Sequence, residues 1–143
     1  MDERRLVMKE IRKIVRQVLS ESFLNENNEN LNNATEEEQL AAVQKDGYAI
    51  KYIDNPSEAV QMAAVKYSCD AIYYIKNPSD AVQLAAVQRH GYAIKYIDNP
   101  SEAAQLLAVK NSGPDAIEFI KNPSEAVVKI KAKADLSRWM TED

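Results

Sequence analysis

Cysteine is almost absent from this chain of 143 residues. Cys69 stands alone, which excludes an internal disulfide and fits a reducing compartment. Histidine also occurs once, at His90, and a site with Cys and His ligands needs several such residues converging. Three glycines and five prolines are too few for a collagenous or low-complexity chain. No glycine-rich phosphate loop is present. No apolar run is long enough to span a bilayer, and the first residues do not resemble a secretion signal. The expected location is therefore the cytoplasm. Net charge is only −4, which predicts solubility rather than a partner. Apolar content of 45% is that of an ordinary globular chain, and the length suffices for one core.

Repetition is abundant. GYAIKYIDNPSEA occurs at 47–59 and again at 91–103, yet the period is half that separation. NATEEEQLAAVQKDGYAIKYID (33–54) is followed by NPSEAVQMAAVKYSCDAIYYIK (55–76), NPSDAVQLAAVQRHGYAIKYID (77–98) and NPSEAAQLLAVKNSGPDAIEFIK (99–121). A fifth copy begins at NPSEAV (122) and drifts. Units of this size stack so that each covers its neighbour's apolar sides.

Each unit reads as two helices. Asn55, Pro56 and Glu58 match an N-cap, a first helical residue and a capping-box acid, while Thr35 and Glu38 offer a competing box in the first unit. The first helix runs about ten residues, to near Tyr67, and its apolar arc is broad enough for neighbours on several sides. Gly47, Gly91 and Gly113 suit left-handed helix ends, with Cys69 in that slot of the second unit. The second helix is short, as in DAIYYIK (70–76), and α-helical spacing puts Ala71, Ile72, Tyr74 and Ile75 on one face, with Tyr73 and Lys76 outward. Asp54, Lys76, Asp98 and Lys121 then form a column of alternating sign, beside Lys51, Tyr73, Lys95 and Glu118. The expected fold is all-α: an α-solenoid of short helix pairs, with four repeats of 22–23 residues, a C-terminal capping helix and an N-terminal amphipathic helix.

The pattern E-A-V-Q-L-A-A-V-x-x-x-G-x-A-I-x-Y-I-x-N-P-S over about 33–130 resembles a tandem helical repeat family of unknown function found in bacterial proteins, some of them secreted effectors, and in viral proteins. The resemblance implies a helical scaffold and no activity. Cys69 in the glycine slot and the extra residue near Pro114 depart from the pattern.

The ends differ from the body. Residues 1–24 form a basic amphipathic helix whose face is Val7, Ile11, Ile14 and Val18, widened by Met8, Val15 and Leu19. Residues 25–33 are an Asn/Glu-rich linker, and 34–143 are the repeat domain. The helix could cap the first repeat, pair with a second chain, or bind an acidic surface such as lipid headgroups or nucleic acid. A short basic leading helix also resembles those opening small phage-encoded proteins. At the other end, helix 124–140 is expected to bury Val127, Ile130, Ala134 and Trp139, with Lys129, Lys131 and Lys133 outside.

Chemistry finds little support. His90 lies in a turn slot, Cys69 has no base and orienting group beside it in the pattern, and the carboxylates recur as caps or columns. Tyr48, Tyr52, Tyr74, Tyr92 and Tyr96 read as repeat core rather than a base-stacking platform, since Phe119 fills one such slot. Gln39, Gln61, Gln83 and Gln105 recur as a polar ladder that either bonds adjacent units or lines a groove for an extended partner. Lys45, Asp46, Tyr67, Ser68, Arg89, His90, Asn111 and Ser112 vary on a constant frame, which is how repeat proteins make partner surfaces. The expectation is a non-enzymatic scaffold for protein–protein interaction or assembly, with no cofactor, metal or small-molecule substrate. The alternative is a nucleic-acid- or membrane-surface-associated protein acting through the basic helix.

Overall fold

The computed structural model describes residues 2–26 and 31–141, and every element among them is helical. The α-helices are α1 (Asp2–Glu26), α2 (Glu36–Lys45), α3 (Glu58–Tyr67), α4 (Asp80–Arg89), α5 (Glu102–Ser112) and α6 (Glu125–Thr141). Between α2 and α6 they alternate with 3-10 helices at Gly47–Tyr52, Cys69–Tyr74, Gly91–Tyr96 and Pro114–Phe119. The chain is an α-solenoid. From α2 on, the α-helices stack in one row and the 3-10 helices in another, each unit packed on its neighbours in the chain. Of the Asn/Glu-rich linker, residues 27–30 lie outside the described residues. Leu31–Asn33 form a 3-10 turn whose Leu31 is buried in the slot that Ile53, Ile75, Ile97 and Ile120 fill in later units.

The second helix of each pair is 3-10, not α. Ala49 N–H donates to the Asp46 carbonyl and Ile53 N–H to Ile50, both three residues back, and the other units repeat this. Such poorly bonded short helices persist only under tertiary packing. With three residues per turn, positions three apart eclipse. Gly47, Ile50 and Ile53 face the core, as do Gly91, Ile94 and Ile97, while Tyr48, Lys51 and Asp54 all point out.

The helix starts also differ from the expected ones. Thr35, Ser57, Ser79 and Ser101 are the N-caps, two residues beyond the asparagines, and Thr35 with Glu38 makes the full capping box. The asparagines instead belong to the preceding turn, where Asn77 and Asn122 adopt the left-handed region at φ 51° and 53°. Of the three glycines only Gly113 is left-handed, at φ 86°. Gly47 is required by close approach, since a Cβ there would lie 2.9 Å from the Ala64 carbonyl of the next unit, and Gly91 sits in a similarly tight slot. A Cβ on Gly91 would lie 2.0 Å from the Ser112 Oγ and 3.2 Å from the Ala108 carbonyl of the next unit.

The core is a set of columns at the repeat spacing. Val43, Val65, Val87 and Val109 form one, and Ile50, Ile72 and Ile94 another; Val60, Val82, Ala104 and Val127 form a third, all buried. The columns break where a neighbour is missing. The first unit carries Glu38 in the slot of Val60 and Val82. The last carries Lys131 in the slot of Ala86 and Ala108. Burial of an apolar side chain there would have no covering unit.

Candidate interaction face

The 3-10 row builds a grid of outward side chains, three per unit. Tyr48, Lys51 and Asp54 are followed by Asp70, Tyr73 and Lys76, then Tyr92, Lys95 and Asp98, then Asp115, Glu118 and Lys121. Lys121 pairs with Asp98, and Asn32, one repeat before Asp54, donates to its carboxylate at 2.7 Å and accepts from its N–H at 2.6 Å. The alternation brings unlike groups together between neighbouring units. Such exposed pairs set register more than stability.

Tyrosines run through this grid as a ridge. The sequence pattern placed Tyr48, Tyr52, Tyr74, Tyr92 and Tyr96 in the core; Tyr52 and Tyr96 do pack against it, whereas Tyr48, Tyr74 and Tyr92 do not. Tyr48, Tyr74 and Tyr92 are exposed, with Tyr73 at 63%, and Tyr52 and Tyr96 are half-buried. The cause is the 3-10 geometry, which turns Tyr74 to the flank of its helix where α-helical spacing would have turned it inward. Neighbouring rings meet edge to face: Tyr48 with Tyr74 at 6.2 Å, Tyr73 with Tyr74 at 5.0 Å, Tyr73 with Tyr96 at 5.6 Å and Tyr92 with Phe119 at 5.2 Å. Lys51 and Lys95 lie 4.7 and 4.6 Å from the ring centroids of Tyr52 and Tyr96. The Tyr52 hydroxyl beside it holds the Lys51 ammonium above the ordinary 10.5. Each edge-to-face pair adds roughly 0.5–1.5 kcal/mol beyond area burial and stiffens the ridge before any partner arrives.

Two shallow clefts lie one repeat apart beside the ridge. One, of about 470 Å³, has Tyr73, Tyr96, Lys76, Asp98, Asn77 and Gln83 in its wall. Its counterpart, about 510 Å³, has Lys51, Tyr74, Asp54, Asn55, Lys76 and Gln61. Of the glutamines that line them, Gln83 bonds on to the next unit and Gln61 bonds within its own. Gln83 Nε2 donates to the Pro78 carbonyl at 3.0 Å, and its Oε1 accepts from Ser101 N–H of the next unit at 2.8 Å. Gln105 repeats this with Pro100 and Ser124 at 3.0 and 2.7 Å. Gln61 reaches the Pro56 carbonyl at 2.9 Å, and Gln39 reaches that of Leu31 at 3.0 Å. The last unit has no following N-cap to bind, and valine replaces glutamine there.

The variable turn residues form an edge at the C-terminal ends of α2 to α5. Several have structural duties. Asp46 accepts from Tyr48 N–H at 3.0 Å, the Arg89 guanidinium donates to the Lys66 carbonyl, and Asn111 donates to the Val87 carbonyl at 3.3 Å. The last two satisfy helix-end carbonyls of the preceding unit. Lys45, Tyr67 and His90 are exposed, and Ser68 and Ser112 are half-buried. Arg89, His90, Asn111 and Ser112 surround one shallow groove with Tyr92, and the His90 ring lies 5.7 Å from that of Tyr92. His90 thereby joins the turn edge to the aromatic ridge. Cys69 is half-buried, with Asp70 at 4.0 Å from its sulfur.

At the C-terminal end Val127 is buried, but Ile130 and Trp139 are exposed, against expectation. Val127 anchors the helix, and ion pairs fix its register on the exposed side: Lys131 binds Asp115 at 2.6 Å and Asp135 at 3.0 Å, and Arg138 binds Asp115 at 3.3 Å. Hydrogen bonds from Lys131 and Arg138 hold the Asp115 carboxyl below its ordinary 3.8. The stripe Val7, Ile11, Ile14 and Val18 on α1 is also exposed, so α1 does not bury it on the first repeat. Among the described residues no group of three His, Cys, Asp or Glu side chains could hold a metal ion, and no helix is long and apolar enough to cross a membrane.

Fold and surface together define a helical-repeat protein with a patterned aromatic face. No family model, curated protein or solved structure matches the chain.

Proposed function

We propose that the chain is a non-enzymatic helical-repeat scaffold whose 3-10 face docks a protein partner. The observation that carries the reading is two groups of edge-to-face rings on that face, Tyr48–Tyr74–Tyr73–Tyr96 and Tyr92–Phe119, of which all but Tyr96 are exposed. Tyrosine offers large contact area at small conformational cost and is enriched at protein interfaces. Alternating lysines and aspartates around it supply a polar rim. The two clefts one repeat apart suit a partner segment running along the solenoid. The resemblance to tandem repeats of bacterial and viral proteins supports the same reading.

The experiment compares wild type with a Tyr73→Ser, Tyr92→Ser double variant in affinity capture from cell extract, followed by titration of the captured protein. The variant gives up the ring contacts of Tyr73 with Tyr74 and Tyr96 and of Tyr92 with Phe119, so it should melt lower, and binding is compared at a temperature where both proteins are folded. At least tenfold weaker binding by the variant supports the ridge as the site. Equal binding removes it.

A further inference from the structure

The helix α1 carries an apolar arc that nothing among the described residues covers. Val7, Met8, Ile11, Ile14, Val15 and Val18 stand 46% to 58% exposed. They fall within one broad sector of a helix of 3.6 residues per turn, with a 4-3-4 spacing along its centre. The two edges of this sector carry opposite charge. Arg5 and Arg12, seven residues apart, line one edge, and Glu3 and Glu10, also seven apart, line the other.

We propose that α1 pairs with α1 of a second copy, parallel and in register about a two-fold axis. A parallel two-fold sets the basic edge of each helix beside the acidic edge of its partner, because the rotation exchanges the edges. In register, Arg5 of one copy lies two residues along the axis from Glu3 of the other, about 3 Å, and Arg12 lies likewise from Glu10. Both contacts occur twice. An antiparallel two-fold would set basic edge on basic edge and acidic on acidic. An anionic lipid surface or nucleic acid would suit Lys9 and Lys13 on the side opposite the apolar sector and Arg5 and Arg12 on one edge, but would repel Glu3 and Glu10 on the other, which the basic edge of a second copy complements. Arg4 lies in the sector at its N-terminal end, so apolar contact begins at Val7. The contact spans roughly three turns, which predicts a reversible rather than an obligate dimer. This inference stands on α1 alone and does not depend on the aromatic face.

The test is sedimentation equilibrium of the full chain up to about 100 μM, above the micromolar end of protein association. Wild type should approach twice 16.1 kDa, and Ile11→Glu should weaken association at least tenfold while the repeat body melts unchanged. An Arg5→Glu, Arg12→Glu variant has two acidic edges, and a Glu3→Arg, Glu10→Arg variant has two basic ones. Each alone should associate at least tenfold more weakly than wild type, and the two mixed should form a 1:1 heterodimer. Rising salt should weaken the wild-type pair. A monomeric wild type, an Ile11→Glu variant that still pairs, or failure of the mixed variants to associate overturns the proposal. So does salt that strengthens the wild-type pair, since like edges would then be meeting. Binding to vesicles of anionic phospholipid by a chain that stays monomeric overturns it in favour of a membrane surface.

Discussion

Replacing Gln83 by alanine should cost far more than the same change one repeat earlier. The Gln83 side chain is only 5% exposed and satisfies both the Pro78 carbonyl of its own unit and the Ser101 N–H of the next. Truncation leaves both without their partner. A buried polar group left unpaired costs about 1–3 kcal/mol. Water in the adjoining cleft can reach the carbonyl more readily than the half-buried amide, so the expected loss is about 2–4 kcal/mol. Gln61 makes the bond to its own proline carbonyl at 2.9 Å but not the same bond across to Ser79, so Gln61→Ala should lose about 1–2 kcal/mol. Thermal melting by circular dichroism would resolve the two. At roughly 4 °C per kcal/mol for a body of this size, Gln83→Ala should melt about 8–15 °C below wild type. Urea unfolding should agree, and a reduced denaturant slope would mean that the units on either side of Gln83 no longer unfold together. Equal losses for the two variants, or less than about 1 kcal/mol for Gln83→Ala, would refute the role of the amide as a link between units.

Two further outcomes follow from the joints between repeats. The Ser79 hydroxyl caps Val82 N–H at 3.4 Å and donates to the Glu58 carboxylate of the preceding helix. Ser79→Ala should therefore cost about 1–2 kcal/mol. Ser79→Asp, ordinarily an equal cap, should also destabilise, because it sets a carboxylate against Glu58; Glu58→Gln in that background should restore stability in urea titration. At the C-terminal lock, the folded carboxyl of Asp115 lies below 3.8 because Lys131 and Arg138 bond it. Its contribution is complete above that value and disappears as pH falls through the folded pKa. Lys131 is raised above 10.5 by Asp115 and Asp135, so its share is present below 10.5 and disappears as pH rises through the folded pKa. Melting temperature against pH should fall less steeply below about pH 4 in Asp115→Asn than in wild type.

Much of this architecture is legible in the letters. The repeat length, the end of α3 at Tyr67, the Thr35–Glu38 box and the alternating Asp54, Lys76, Asp98 and Lys121 column all follow from spacing and local capping chemistry. The 3-10 row was also present, as the three-residue recurrence of Gly47, Ile50 and Ile53, but an assumed 3.6-residue turn hides it. That assumption moved the exposed Tyr74 into the core, and with it part of the candidate face.

The sequence by itself determined that stacked helical units would form, because each unit's apolar residues recur at one spacing and no unit can cover its own. Tertiary contact decided what each unit looks like. A six-residue segment has too few internal bonds to choose its helix type, so packing of Ile50, Ile72 and Ile94 on their neighbours chooses it. Contact also decided why Gly47 is glycine, since the obstructing Ala64 carbonyl and Tyr67 ring come from the next unit. Contact between units likewise gives Gln83 and Gln105 their second partner, which no single repeat contains.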